Sequence, residues 1–545
     1  MTVRQTIAAA LEQAAREIGA EGELPDLELA RTRNPTHGDF ASSAGLKLAK
    51  ILRRNPAQIA EELVAAIRLP GGEADAEAAG GYVNFRLRPE WLQRLVAEVV
   101  AAGPRYGSSD LGGGERVQVE YLSTNPTGPL HIGHGRGAIL GDSLATLLQF
   151  TGHSIWREYY VNDHGKQARL FGASILARLH NQDPPENGYV GDYVNELAEK
   201  ARAAGVEETE EALMEFGLAL MVERFQALLE RLGVRYDEWF SEKSLWEKGE
   251  PQRAIERLRE KGLLKEKDGA TWFAPAMDEE GGEADDRVVF RSDGVHTYFA
   301  SDLGYLVNRF ETRGFQWVIE VWGADHHGYV PRMKQASAAL GIDTERLVII
   351  INQFVTLKEG KMSKRAGRFV TLEELLDEVG PDAVRWFYLS RAPETMMEFD
   401  LELATTHNKT NPVYYVQYAH ARLAGIERTA AGRDLSAEMD LSLLDKAWEL
   451  DLARQLAHWP DAVAEATRLR EPHRLTFFIY ELADRVSTFY EAGNDNGEFR
   501  VVVDDPRVTR ARLELCRAAR AALQSGLDLV GVSAPERMDR ISEEE

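Results

Sequence analysis

Only one cysteine, Cys516, occurs among 545 residues, so no disulfide can close within a chain and no set of thiolates can hold zinc. Cys516 itself reads as a small buried residue on a C-terminal helix. No run of eighteen or more apolar residues is present, which leaves nothing for a membrane-spanning helix. Residues 1–20 are charged and Ala-rich, without the apolar stretch of a secretion signal, and a cytoplasmic protein is expected. Positive charge is in deficit, with 64 Lys and Arg against 88 Asp and Glu and a net charge of −24. That balance opposes nonspecific attraction to phosphate backbones, so any nucleic-acid surface must come from local clustering of cations. One cluster is visible: Arg31, Arg33, Lys47, Lys50, Arg53 and Arg54 share residues 31–54 with a single acid, Asp39. A solvated helical face would show the same composition.

What is present is ample material for a core. Hydrophobic residues make up 44% of the chain and aromatics 9%, enough for three or four domains at about 150 residues each. The most informative stretch is Val117 to Asp142. Val117, Val119 and Tyr121 alternate with Gln118, Glu120 and Leu122, a period-two pattern that predicts a strand. Asn125, Pro126, Thr127, Gly128 and Pro129 then force a turn. Ile139, Leu140, Ser143, Leu144, Leu147 and Leu148 follow at helical spacing. His131-Ile132-Gly133-His134 therefore falls where a strand exit meets a helix start. Unpaired N–H groups and the positive end of the helix dipole suit an anion there, phosphate above all. Gly133 and Gly135 leave room for a nucleotide near the backbone, and two imidazoles can reach the same phosphoryl oxygens. By itself the string is also compatible with structural histidines.

A second string lies far downstream. Lys361-Met362-Ser363-Lys364, followed by Arg365, Ala366, Gly367 and Arg368, can neutralise the β- and γ-phosphates of a nucleotide as pyrophosphate leaves. In this order the two strings resemble the HIGH and KMSKS signatures of class I aminoacyl-tRNA synthetases. Further stretches narrow the resemblance. Val119-Glu120-Tyr121-Leu122-Ser123-Thr124-Asn125-Pro126-Thr127-Gly128-Pro129-Leu130, Tyr159-Tyr160-Val161-Asn162-Asp163, Tyr298 with Ser301-Asp302-Leu303-Gly304-Tyr305, Tyr414-Tyr415-Val416-Gln417-Tyr418-Ala419-His420-Ala421-Arg422 and Ser533-Ala534-Pro535-Glu536-Arg537-Met538 are similar to arginyl-tRNA synthetases over nearly the whole chain.

Alternating strands and helices predict a doubly wound parallel sheet of Rossmann type. The expected units are a small α+β module at 1–112, a first catalytic half at 113–165, a mostly helical connective insertion at 166–289, a second catalytic half at 290–390 and a helical bundle at 391–545. The sheet is expected to resume at Val288-Val289-Phe290 and to continue through Tyr298, Trp317 to Trp322 and Leu347 to Phe354. The neighbouring His326 and His327 beside Asp325 lack recognisable further ligands and are not read as a metal site.

The resemblance implies ATP-dependent ligation of L-arginine to tRNA(Arg) through an arginyl-adenylate, with the 2′-hydroxyl of the terminal adenosine as acceptor. It implies ATP with Mg2+ as a substrate complex, no zinc or prosthetic group, activation that needs bound tRNA, and a monomer. His131 and His134 with Lys361 and Lys364 are then the catalytic set, and Gly133, Gly323, Met362 and Ser363 complete the ATP site. Asp302 and Tyr298 would receive the arginine side chain, while Glu120, Asn125, His131 and Asp325 would hold the rest of the amino acid. Tyr82 and Asn84 of the leading module would touch the tRNA elbow. Tyr415, Tyr418 and Arg422 on one helix face, with Met538, would meet the anticodon. Two departures are visible: Gly128 stands where many relatives carry a lysine beside an incomplete second signature, and Asp325 stands where relatives carry a glutamine. Competing readings are another class I synthetase, a small-molecule adenylyltransferase and a non-catalytic RNA-binding paralogue. The bundle after residue 390 argues against the second, and the intact histidines and lysines against the third.

Overall fold

The computed structural model describes residues 2–32, 34–274, 287–358, 371–433 and 435–538. At its centre is a five-stranded sheet made of β1 (Arg116–Tyr121), β2 (Ser154–Val161), β3 (Glu238–Ser241), β4 (Trp317–Gly323) and β5 (Leu347–Asn352). All neighbours are parallel, in the order β5-β4-β1-β2-β3. The direction of winding reverses between β1 and β4, and a ligand crevice opens beyond the carboxyl ends at such a point.

Both faces of β1 are covered. Val117, Val119 and Tyr121 are buried, but so are Gln118 and Glu120 between them. The alternation in sequence therefore separates an apolar interior from a polar interior rather than core from solvent. The apolar face packs on the helix Ile132–Phe150, where a Cβ at Gly141 would lie 2.2 Å from the Tyr121 ring. Gly135 has a packing role as well. Its missing Cβ would meet Leu372 at 2.6 Å and Tyr388 at 3.0 Å, so it admits the helix Leu372–Leu389 rather than a nucleotide.

Two parts of the sheet differ from the sequence reading. Arg287–Phe290 pairs antiparallel with Ala270–Phe273, which pairs antiparallel with Leu264–Lys267, so Val288, Val289 and Phe290 belong to a separate three-stranded sheet. A β-rich run specifies extended backbone but not its partner, and the partner close in sequence carries the smaller closure cost. The edge strand β3 instead comes from within the stretch read as mostly helical, as Glu238, Trp239, Phe240 and Ser241. Tyr298–Val307 is helical, and Val355–Leu357 leaves the main sheet to pair with Met397–Phe399.

The leading module carries an antiparallel four-stranded sheet, in the order Ala30–Arg31, Phe40–Ser42, Tyr82–Leu87 and Ala74–Ala79. Its buried side packs on helices that include Val3–Glu17, Ala44–Leu52 and Pro56–Ala66. It meets the C-terminal helices through an ion pair between Asp39 and Arg454 at 2.7 Å. Those helices include Pro412–Ala430, Ala447–Ala457, Trp459–Leu469, His473–Asp495 and Pro506–Val530, with Cys516 fully buried among them.

Arg385 ties three parts of the chain together. Its fully buried guanidinium reaches Asp142 at 2.7 Å, the Leu232 carbonyl at 3.2 Å and the Val530 carbonyl at 2.9 Å. Arg385→Met leaves Asp142 buried without its cation, and a loss of about 3 to 5 kcal/mol is expected. A fall in the urea midpoint reported by the catalytic core checks this, and an unchanged midpoint contradicts it.

Candidate functional site

A cavity of about 480 Å³ opens beyond the carboxyl ends of β1, β2 and β4. Its wall includes Glu120 near the end of β1 with Ser123 and Thr124 after it, Asn162 after β2, Gly323 at the end of β4 with Asp325 after it, and Tyr298 and Asp302 from the helix Tyr298–Val307. His134 reaches it from the start of the helix Ile132–Phe150. Residues separated by up to about 200 positions in the chain thus share one crevice.

The two histidines are held by the helix start itself. His131 is the N-cap, and its Nδ1 accepts from the Gly133 N–H at 3.1 Å. His134 reaches back, and its Nδ1 accepts from the His131 N–H at 3.2 Å. The rings stack with centroids 3.5 Å apart. A nitrogen that accepts from a backbone N–H cannot carry a proton, so each neutral ring carries its proton on Nε2. Burial pushes the His134 imidazole down to about 3, with His131 adding to the effect. Burial also lowers His131, against a smaller opposing pull from Asp325. His134 therefore presents a neutral Nε2–H to the cavity, 3.4 Å from the Thr124 hydroxyl, while His131, lowered by burial, stacks on it but does not line the cavity.

The opposite wall is acidic. Asp302 and Tyr298 stand one helical turn apart, and Asp302 accepts a hydrogen bond from the Tyr329 hydroxyl. Burial pushes the Asp302 carboxyl up to about 6, opposed by the Tyr329 hydrogen bond and reinforced by Glu320. Glu120 is raised by burial and then by Glu320, with Arg309 opposing. Neither Glu320 nor Arg309 was singled out from sequence. Each lines the cavity; the only local signal for Glu320 was a charge inside an otherwise apolar run, and Arg309, in a polar stretch, had none.

The remaining candidates divide. Asn125 is not on the cavity wall; its carbonyl accepts from Asn162 at 2.6 Å and its amide donates to Gln167, so Asn162 faces the cavity in its place. Asp325 is exposed at the rim and pairs with His326 at 3.5 Å. A Cβ on Gly133 would touch the His131 ring at 3.0 Å, and one on Gly323 would lie 2.5 Å from the Asp325 carboxylate. Lys361, Met362, Ser363 and Lys364 lie outside the described residues. The chain is described again from Thr371, which forms a β-bridge with His131, while the Leu372 N–H donates to the Leu130 carbonyl at 2.8 Å.

Away from this cavity, Tyr82 and Asn84 share the outer face of the strand Tyr82–Leu87, alternating with buried Val83 and Phe85. Tyr418, Arg422 and Met538 line one groove of about 630 Å³ together with Arg428, Tyr490 and Arg537. The Arg422 guanidinium lies over Tyr418 at 4.7 Å and over Tyr490 at 4.2 Å. Tyr415 does not join them. Its hydroxyl bonds Ser487 at 3.0 Å and its ring packs on Tyr480. The arginines from 507 to 520 are largely engaged within the protein: Arg512 in a buried pair with Glu449 at 2.7 Å, Arg507 with Asp505, Arg517 with Glu514 and Arg520 with Glu427. In the leading cluster Lys47 pairs with Glu28, Arg54 with Glu62 and Arg31 with Glu481.

With selectively labelled histidine, the His134 imidazole is expected to keep the neutral shifts from pH 8 down to pH 5, because its titration lies near 3. An NMR inflection for His134 between pH 6 and 7 would contradict the buried, backbone-bonded geometry.

Three family models match the chain: Arginyl tRNA synthetase N terminal domain over residues 1–87, tRNA synthetases class I (R), catalytic domain over 96–387, and DALR anticodon binding domain over 416–538. An arginine–tRNA ligase of Moorella thermoacetica is 44% identical over 98% of this chain and 97% of that protein. One of Bacillus subtilis is 42% identical over 96% of both. Among solved structures, the Thermus thermophilus arginyl-tRNA synthetase superposes with a TM-score of 0.80 at 26% identity, covering 98% of this chain and all of that one.

Proposed function

The chain belongs to the arginyl-tRNA synthetases, and from that premise we propose how its residues divide the work of an arginine–tRNA ligase. The reaction joins L-arginine to tRNA(Arg) in two steps. A carboxylate oxygen of arginine attacks the α-phosphorus of ATP, an acyl-phosphate bond forms, the bond to the β-phosphate bridge breaks and pyrophosphate leaves. The 2′-hydroxyl of the terminal adenosine then attacks the carbonyl of the adenylate, and AMP leaves.

The first step develops charge on phosphoryl oxygens. His131 and His134 donate their Nε2 protons there as hydrogen bonds, without needing to be charged. Lys361 and Lys364 neutralise the departing pyrophosphate, with Met362 and Ser363 between them in sequence. Support for their convergence is the His131–Thr371 bridge, since Thr371 follows Lys364 by only seven residues. Gly133 and Gly323 allow close approach of the nucleotide, and magnesium enters as the counter-ion of ATP. Asp302 and Tyr298 receive the guanidinium, for which a carboxylate pairing selects planar geometry over the point charge of lysine, and Glu120 helps to hold the rest of the amino acid. Asn125 acts through Asn162, and Asp325 at the rim faces the main-chain end of arginine beside His131. The observation that carries this reading is that Glu120, Asp302 and His134 line one cavity.

Residues 1–112, with Tyr82 and Asn84, bind the tRNA elbow. Residues 113–165 and 290–390 form the catalytic unit around the insertion at 166–289, and 391–545 reads the anticodon through the groove of Tyr418, Arg422 and Met538. The enzyme works as a cytoplasmic monomer. Among the described residues, no helix is long and apolar enough to cross a membrane.

ATP–pyrophosphate exchange with each of the twenty amino acids, with and without total tRNA, tests the assignment. Exchange only with arginine, and only with tRNA present, is expected; exchange with another amino acid overturns it. Asp302→Asn removes a charged hydrogen bond of about 1.5 to 3 kcal/mol, so the KM for arginine rises about 10- to 100-fold with the KM for ATP unchanged. Because the Asp302 carboxyl lies near 6, its protonation lowers kcat/KM for arginine as the pH drops through that value, and the variant loses this component while that of Glu120 remains.

A second outcome separates the two tyrosines. Tyr418→Ala removes a stacking surface of about 1 to 3 kcal/mol per base and raises the KM for tRNA, leaving the KM for arginine unchanged. Tyr415→Phe removes only the bond to Ser487 and leaves the KM for tRNA within about twofold. Steady-state charging kinetics read both, and an equal effect of the two substitutions contradicts the groove assignment.

A further inference from the structure

Beneath the acidic wall lies a buried guanidinium belonging to the protein itself. Arg309 sits in the π-helical turn Asn308–Thr312, which continues the helix Tyr298–Val307, and it is fully buried. Its Nη1 bonds Glu120 Oε2 at 3.2 Å and also bonds Glu320 Oε1. The guanidinium lies 4.0 Å from the centre of the Tyr305 ring. Glu120 and Glu320 are register partners on β1 and β4, so without a cation between them two buried carboxylates would face each other on one side of adjacent strands. Such a pair shares a proton rather than ionising twice.

The network is also unfinished. Arg309 Nε and Nη2 and Glu320 Oε2 are buried without a hydrogen-bond partner, and both residues line the same cavity as Asp302. Buried polar atoms of this kind are costly unless a ligand or water completes them. The lining is acidic as a whole: Glu120, Asp302, Glu320 and Asp325 face one guanidinium, Arg309, so the cavity suits a cationic ligand.

We propose that Arg309 is a positioning residue for the charging reaction, an internal cation that holds Glu120 in place and leaves a Glu120 oxygen open to the incoming arginine, while Glu320 anchors Arg309. The proposal rests on the reading that Glu120 and Asp302 receive the substrate. A role in stability alone is the weaker account, because a buried ion network contributes little against apolar replacements of the same volume. Both carboxylate bonds of Arg309 leave one nitrogen, Nη1, so a lysine ammonium can replace the charge but not the contact of the guanidinium with the Tyr305 ring.

Besides Arg309 and Glu320, the groups acting on Glu120 are Glu158 on β2, which raises it, the Ser123 side chain, whose hydrogen bond lowers it, and the hydroxyls of Tyr160, Tyr236 and Tyr305. Burial and Glu320 already raise Glu120, and Arg309 opposes them. Removing Arg309 raises Glu120 further, so a higher pH is needed to charge it. Removing the charge of Glu320 lowers it.

The test uses the full-length enzyme with tRNA(Arg) in ATP–pyrophosphate exchange, comparing Arg309→Met, Arg309→Lys, Glu320→Gln and Asp302→Asn from pH 6 to 9. Arg309→Met is expected to raise the KM for arginine about tenfold or more at pH 7, with the KM for ATP within about twofold, and the defect shrinks toward pH 9. Arg309→Lys recovers most of the loss. Glu320→Gln moves the acid limb of kcat/KM for arginine to lower pH, which keeps the proposal testable if Arg309→Met does not fold. Equal rises in both KM values, a pH profile parallel to the parent enzyme, or an acid limb moved upward by Glu320→Gln overturns it. If Asp302→Asn leaves the KM for arginine unchanged, the pocket reading itself fails. A normal Asp302→Asn defect beside a silent Arg309→Met sinks only the role given to Arg309.

Discussion

The register of β1 against β4 is the constraint on which the site depends. Parallel pairing sets Val119 beside Ile319 and Glu120 beside Glu320, and the strands end together at the point where the winding reverses. Beyond that end side chains from the ends of both strands and the loops that follow converge on one crevice. A slip by one residue would turn Glu120 toward the helix Ile132–Phe150 and Tyr121 toward the cavity. Gly141 guards against this, because it is the absence of a Cβ that lets the Tyr121 ring lie against that helix.

Given that frame, one physical effect sets the charge state of opposite walls. Loss of water disfavours whichever form is charged, so it lowers His134 and raises Asp302 and Glu120. On the proposed reading, neutral imidazoles suit the phosphate side, where a hydrogen-bond donor is needed and a proton is not transferred. On the same reading, carboxylates on the other side must stay ionised to meet a guanidinium, and there desolvation works against function. Arg309 supplies the opposing field from below, at a depth where the water-poor surroundings make one cation effective for two acids. A π-helical turn at Asn308–Thr312, wider than an α-helix, brings that side chain under the sheet.

Elements whose chemistry is local were legible in the sequence. The strand–turn–helix around His131 and His134 is written in period-two spacing, proline and glycine, and the capping hydrogen bonds span three residues. Tyr298 and Asp302 were legible as a pair because one helical turn brings them together. Features that depend on partners far along the chain were not. Glu320 looks like a stray acid in an apolar strand until β1 is laid beside it, and Tyr490 looks like any helical tyrosine until Arg422 covers it. Tyr415 shows the same limit in reverse. Helical phase groups it with Tyr418, but the helix His473–Asp495 takes up that side of the ring, a fact about packing that spacing cannot carry. Val288 to Phe290 failed likewise, since β propensity names no partner strand.

The acidity of the chain follows from how its cations are used. Many arginines act inside the protein: Arg385 joins core, insertion and bundle, Arg309 and Arg313 neutralise buried glutamates under the sheet, and Arg512 closes on Glu449. Positive charge spent on internal pairs is withdrawn from the surface, and a net charge of −24 repels polyphosphate at long range. On the proposed reading, an RNA partner must then be held by short-range contacts that survive this repulsion. The groove of Tyr418, Arg422 and Tyr490 is built that way, with a guanidinium between two aromatic faces. Stacking of bases on such a surface falls off within a few ångströms and is little screened by salt, so a misplaced RNA gains almost nothing while a correctly seated one gains from each ring. Bulk acidity and local aromatic contact thus act in the same direction, suppressing nonspecific association and leaving affinity to the few positions where shape and stacking agree.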